Sequence, residues 1–209
     1  MSLDELSLGA QQLAMSLTPE QHRLLSAYVA LLHKWNKVYN LTAIRDPQQM
    51  TAHHLLDSLA VLPHLWAGRW LDVGCGAGLP GMVLAIMRPD WSFTLLDSNS
   101  KKTGFVQQAV IELGLKNVTV RCARVEDLQG ELFDGIISRA FTELGDFLKI
   151  SQHLLAKGGR WAAMKGVAEK ELHAVPDTCH IDKVRVLQVP GLSAARSLVV
   201  VSKREGDAV

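Results

Sequence analysis

A chain of 209 residues fits one domain with an appendage, and a domain of that size buries roughly 70% of its unfolded surface without needing disulfides or a metal. Its 22 basic and 21 acidic residues leave a net charge of +1, a balance that strongly basic nucleic-acid-binding domains do not show. No apolar run reaches the roughly 18 residues of a membrane span. Asp4 and Glu5 stand where a signal peptide would be basic, and three scattered cysteines suit reduced thiols. The expectation is a cytoplasmic protein with no membrane association and no metal site.

In chain order, residues 3–16 are predicted to form a short helix. Thr18-Pro19-Glu20-Gln21 combines an N-cap, a proline at the first helical position and a capping-box glutamine. Leu24, Leu25, Tyr28, Val29, Leu31, Leu32 and Trp35 follow at helical spacing, predicting a helix to about residue 38. Trp35 and Tyr39 are expected in the core. Asp46-Pro47 repeats the cap-then-proline device, and a helix to about residue 62 follows, within which His54 and Asp57 would form a local pair.

Beyond residue 66 the pattern alternates. Strands are predicted at 69–73, 92–96 (ending at Asp97), 118–122, 135–138 and 160–165. Helices fall between them, near 80–88, 101–113 and 142–155, with a short helix at 168–173. Gly158-Gly159 reads as a turn. Alternating βα units imply a parallel sheet with right-handed crossovers. The last strands, 183–189 and 197–202, are too close for a crossover helix and should pair antiparallel. The expected architecture is an α/β seven-stranded, mostly parallel sheet with an antiparallel C-terminal hairpin. An all-helical extension over residues 1–65 packs on a core of residues 66–209.

The segment WLDVGCGAGLPG (70–81) carries the chemistry. Asp72 falls inside a buried strand, and Gly74, Gly76 and Gly78 follow at every second position. Glycine tolerates positive φ and puts no Cβ between backbone and ligand. Such a loop beyond a strand's carboxyl end brings amides against a nucleoside-sized ligand. Dinucleotide folds usually carry G-x-G-x-x-G, but here Leu79 holds the place of the third glycine. Asp72 would repel a phosphate and attract a cation. The spacing resembles motif I of class I S-adenosylmethionine (SAM) methyltransferases. Cys75 fills a position that needs only a small residue.

Asp97 lies about 20 residues past the loop, where nucleoside-binding α/β folds place an acceptor for ribose hydroxyls. It could also cap the helix that follows. In the methyltransferase fold, Val125 and Glu126 fall at the corner facing adenine, and Ser138 and Arg139 end the strand beside the transferable methyl. Arg139 could pair with O6 and N7 of guanine, grip a phosphate or hold the carboxylate of the cofactor. No [DNS]-P-P-[YFW] motif follows that strand, and no Pro-Cys pair supplies a nucleophile for pyrimidine C5 chemistry; the Thr-Cys pair at 178–179 falls well downstream of that strand.

With these residues together, the chain resembles the bacterial glucose-inhibited division protein B family, small-subunit ribosomal RNA guanine-N7 methyltransferases. The resemblance is carried by LHKWNKVYNLTAIRDPQQM (32–50), HHLLDSLAV (53–61), LDVGCGAGLPG (71–81), LLDSNSKK (95–102), RVED (124–127) and SRAF (138–141), and it covers nearly the whole chain. It implies methyl transfer from SAM to N7 of a guanine in 16S rRNA, guanine 527 in that family. It also implies a cofactor set of Asp72, Gly74, Gly76, Gly78, Leu79, Asp97, Val125, Glu126 and Arg139, with Ser138 and Arg139 beside the reaction. The N-terminal helices become an RNA-facing surface, with Lys34, Lys37, Arg45, His53, Lys101 and Lys165 as phosphate contacts. The near-zero charge points to RNA presented within a ribosomal particle to a monomeric enzyme. A methyltransferase of proteins or small molecules is the alternative within the fold; a non-catalytic nucleotide-binding module or a dehydrogenase is the alternative outside it.

Overall fold

The computed structural model describes residues 3–204, so both outer bounds of the expected division, residues 1 and 209, lie outside the described residues. Helix α1 (Leu3–Gln12) stops earlier than residue 16, and Ala14 beyond it has φ 58°. Helix α2 (Pro19–Tyr39) begins on the capping box: Thr18 Oγ1 accepts the Gln21 amide at 3.2 Å, and Gln21 Oε1 accepts the Thr18 amide at 2.9 Å. It ends at Asn40 in the left-handed region, with the cap amide donating to Asn36 O.

Asp46 caps the next helix as expected, its Oδ1 accepting the Gln48 amide at 3.0 Å. The helix is not uniform, however. After α3 (Pro47–Met50) it widens to a π-helix over Thr51–Leu56 and returns to α form in α4 (Asp57–Leu59). The Asp57 amide reaches back to Ala52 O, five residues away. A widened turn of this kind often marks a functional site.

Seven strands follow: β1 (Arg69–Val73), β2 (Ser92–Asp97), β3 (Val118–Cys122), β4 (Phe133–Arg139), β5 (Leu155–Lys165), β6 (Cys179–Leu187) and β7 (Arg196–Lys203). They lie in the order β3-β2-β1-β4-β5-β7-β6, with the first five mutually parallel and β7 antiparallel to both β5 and β6. The crossovers are α5 (Gly81–Met87), α6 (Ser100–Leu113) and α7 (Leu144–Ser151). The turn expected at Gly158-Gly159 is instead internal to β5. The strand passes through Gly158 at φ +77°, and the β4–β5 register shifts between Phe133 and Gly135 to absorb the extra residues. The helix expected at 168–173 is two single 3-10 turns, Ala168–Lys170 and Leu172–Ala174.

One core lies on each face of the sheet. The first merges the N-terminal helices with α5 and α6, so that Leu25, Tyr28 and Leu32 share a cluster with Met82 and Phe105. The Trp35 ring sits 5.7 Å from Phe105 and 5.3 Å from Tyr39. Trp35 is partly buried against this core, but Tyr39, expected to join it, is 45% exposed at the helix end. The second core packs α7 and the turn at Val125–Asp127 against the opposite face. The carboxyl ends of β1, β2 and β4 open toward one edge between these layers.

Candidate active site

The glycine loop is fixed from three directions. From within, the Gly78 and Leu79 amides both return to Cys75 O, and the Cys75 amide donates across to Leu96 O of β2 at 3.0 Å. From β2, Asp97 Oδ2 accepts the Gly76 amide at 2.9 Å. From α2, the buried Tyr28 hydroxyl donates to Ala77 O at 2.6 Å. Gly74 (φ +68°) and Gly76 (φ +57°) need glycine for different reasons. A Cβ on Gly74 would fall onto the Phe141 ring, whereas one on Gly76 would meet only Gly74 O at 4.0 Å and otherwise point into open space.

Beneath the loop, Asp72 is fully buried. Its Oδ2 accepts the Gly81 amide at 2.8 Å, tying strand to helix, while Oδ1 has no partner. Burial pushes its pKa up to about 7, against the opposing pull of the Gly81 N–H and the charge of Arg139. Cys75, also buried, has its thiol pKa raised by burial, which suits an inert small residue. Asp97 is not the cap of α6; Asn99 is, its Oδ1 accepting the Lys101 and Lys102 amides. Asp97 Oδ1 instead accepts the Asn99 amide at 2.8 Å.

Two adjoining cavities meet above the loop and share Gly74, Lys102, Ala140 and Phe141 as walls. The smaller, about 300 Å³, is lined by Asp97, Val125 and Glu126. The larger, about 810 Å³, is lined by Gly76, Leu79, His53 and Arg139. Val125 is buried and Glu126 exposed at the rim. Of the remaining predicted residues, Asp72, Gly78 and Ser138 are buried and line neither cavity. Lys34, Lys37, Arg45 and Lys101 are exposed outside both. Lys165 lines the larger cavity with its Nζ engaged, donating to Thr142 O at 2.5 Å and pairing with Glu171 at 2.6 Å.

Arg139 is held by residues that the sequence pattern did not connect to it. Its Nη1 donates to His53 O at 2.9 Å and to Asp57 Oδ2 at 3.0 Å. Asp57 therefore does not pair with His54. The His54 Nε2 lies 3.0 Å from Thr42 Oγ1, and burial together with the Arg139 charge lowers its pKa to about 4. The second oxygen of Asp57 accepts Arg196 Nε at 2.9 Å. Lys102, Phe141, Asp57 and Arg196 thus join the site beyond the predicted set. Lys102 and Phe141 lay inside the quoted motifs, so position relative to the strand ends could have found them. Asp57 and Arg196 are 139 residues apart, and no local signal links them.

A seven-stranded sheet in this order, with its cavity beyond the carboxyl ends of the central strands, defines the class I SAM-dependent methyltransferase fold. A SAM-dependent methyltransferase from Thiobacillus denitrificans, solved with S-adenosyl-L-homocysteine, superposes with a TM-score of 0.51 at 13% identity, covering 71% of this chain and 90% of that one. Within the class, the chain belongs to the GidB family, described as rRNA small subunit methyltransferase G, whose profile matches residues 21–200. The Ribosomal RNA small subunit methyltransferase G of Laribacter hongkongensis is 52% identical over 96% of this chain and 98% of its own length. That of Neisseria meningitidis (strain Z2491) is 50% identical over the same shares.

Proposed function

We propose that this chain transfers the methyl group of SAM to N7 of a guanine in 16S rRNA, guanine 527 as the family resemblance implies. The observation that carries the reading is the Asp97–Gly76 clasp, which holds the bare glycine loop open beside two connected cavities. The donors fit the cofactor. Asp97 spends one lone pair per oxygen on Gly76 and Asn99, and a carboxylate has about four acceptor sites, so capacity remains for ribose hydroxyls. Val125 supplies an apolar wall and Glu126 a rim acceptor for adenine. The Gly74 and Gly76 backbone would face the methionine part, with the Asp72 carboxyl beneath favouring a cation over a phosphate.

Bound there, the cofactor supplies an electrophilic methyl on a sulfonium. The chain's residues have little proton chemistry to perform. Guanine N7 presents an in-plane lone pair and carries no proton, so no general base is required. Placement does the catalysis, and orientation alone can contribute roughly 7–11 kcal/mol. Arg139, pinned through Nη1, keeps its Nε and Nη2 donors for the cavity. Ser138 supports this corner from the buried side of β4. Lys34, Lys37, Arg45, Lys101 and His53 would meet RNA phosphates, which position without reading sequence. Lys165 would do so only by leaving Glu171.

The substrate would be small-subunit rRNA within a ribosomal particle, in the cytoplasm, met by a monomeric enzyme. No helix among the described residues is long and apolar enough to cross a membrane. Incubation with labelled SAM and small subunits lacking the modification, followed by borohydride reduction and aniline scission, should cut the RNA at a single 7-methylguanine. Label in another base, or in protein without RNA, would replace this reading.

A further inference from the structure

The buried carboxylate of Asp57 joins two guanidiniums, Arg196 Nε at 2.9 Å and Arg139 Nη1 at 3.0 Å. One negative charge between two positive ones leaves an excess of one. The burial is uneven. The Asp57 side chain is 1% exposed, while those of Arg139 and Arg196 are 21% and 26% exposed. The uncompensated positive charge therefore faces the larger cavity, which both arginines line.

The donor count agrees. A guanidinium has five N–H groups. Arg196 gives Nε to Asp57 and Nη1 to its own neighbour, Ala195 O, at 3.0 Å. Among the described residues, nothing else accepts from Arg196 Nη2 or from Arg139 Nε and Nη2. Of the two other acids on that wall, Glu171 is taken by Lys165 and Glu143 pairs with neither arginine, while Lys102 adds a further positive charge to the lining. Arg196 also starts β7, which is separated from β1 and its glycine loop by β4 and β5. Three strand spacings amount to roughly 14 Å. Arg196 thus enters from the side on which a target, rather than the methyl donor, would lie.

We propose that Arg196, positioned by Asp57 beside Arg139, binds a backbone phosphate of the RNA strand at the target nucleotide. Arg196 is then a specificity-determining contact, and Asp57 is a positioning residue that acts through it. Asp57 directly follows the widened turn at Thr51–Leu56. The inference rests on the proposed rRNA substrate.

Two substitutions separate charge from structure. Arg196→Gln keeps a donor for Asp57 and removes the charge; Arg196→Lys keeps the charge. Binding of unmodified small ribosomal subunits is measured by filter retention across a potassium chloride series at fixed magnesium. Alongside it run calorimetric SAM affinity, steady-state turnover and thermal melting. Arg196→Gln should weaken subunit binding by about tenfold or more, as for a lost hydrogen bond to a charged group. It should also make the log K against log salt slope shallower by roughly 0.7–0.9, one phosphate's worth. SAM affinity should stay within about twofold, with the loss falling on KM for the subunits. Arg196→Lys should restore the wild-type slope.

An unchanged slope for Arg196→Gln overturns the proposal, since a purely structural partner of Asp57 would not carry a counterion term. Weakened SAM binding with normal subunit binding overturns it as well, placing Arg196 on the carboxylate of the cofactor. Should Arg196→Gln fail to fold, Arg196→Lys decides: a slope shallower than wild type contradicts the charge role. Failure of the underlying reading looks different, because the wild-type protein itself would then transfer no methyl to the subunits.

Discussion

Asp97 accepts the Gly76 amide at 2.9 Å and the Asn99 amide at 2.8 Å, so one side chain sets the glycine loop and the entry to α6 together. In Asp97→Ala the loop loses its clasp and, on the proposed reading, the ribose loses an acceptor. SAM binding should weaken by about 1–3 kcal/mol, read by equilibrium dialysis; unchanged affinity would remove Asp97 from the site. Asp72 and His54 give the fold opposing pH dependences. Burial raises the Asp72 pKa from 3.8 to about 7. Between those values the native state keeps a proton that the unfolded chain has released, so this group's contribution to stability falls as pH rises from about 4 to 7. Burial lowers the His54 pKa from 6.5 to about 4. There the unfolded chain holds the extra proton, and stability is lost as pH falls through the same range. Urea melts should show Asp72→Asn gaining on wild type as pH is raised from 4 to 7. His54→Gln should gain as pH is lowered from 6.5 to 4. Parallel curves for either variant would mean that the group does not titrate as its surroundings dictate.

Helix α2 is amphipathic and capped, and its buried stripe delivers Tyr28 to the glycine loop. Tyr28→Phe preserves the packing and deletes the donor to Ala77 O. It should cost about 1 kcal/mol of stability and weaken SAM binding, measured as a lower urea midpoint and a raised dissociation constant; an unaltered midpoint would show that the loop does not depend on α2. Local devices made this element legible in advance: the Thr18 cap, Pro19 and the spacing from Leu24 to Trp35. They did not reveal the π-widened turn at Thr51–Leu56. That turn leads directly into Asp57, whose partners Arg139 and Arg196 come from two strands distant in sequence, so no local pattern marks it. Gly158-Gly159 misled for the related reason that glycine pairs usually punctuate strands. Here β5 pairs with β4 at Leu155 and again from Arg160, where β7 also joins, so the glycine pair lies in a register shift inside one strand rather than between two.

Across the whole molecule, the residues proposed to hold the cofactor could be brought together in advance because each is a local event at a strand end: the loop after β1, Asp97 ending β2, Val125 and Glu126 after β3. The opposite wall was not, because Asp57 and Arg196 acquire meaning only when folding brings them together. A net charge of +1 hid the same fact, since it sums over surfaces that folding separates. The central claim is that the glycine loop holds SAM. Its most direct test is calorimetric titration of SAM into the wild-type protein and into Gly76→Val. A Cβ at Gly76 clashes with nothing in the protein and points into open space, although the positive φ of the site is strained for a β-branched residue. The account predicts one site per wild-type chain and no detectable binding by a still-folded Gly76→Val; silence from the wild type, or equal affinity in the variant, would contradict it.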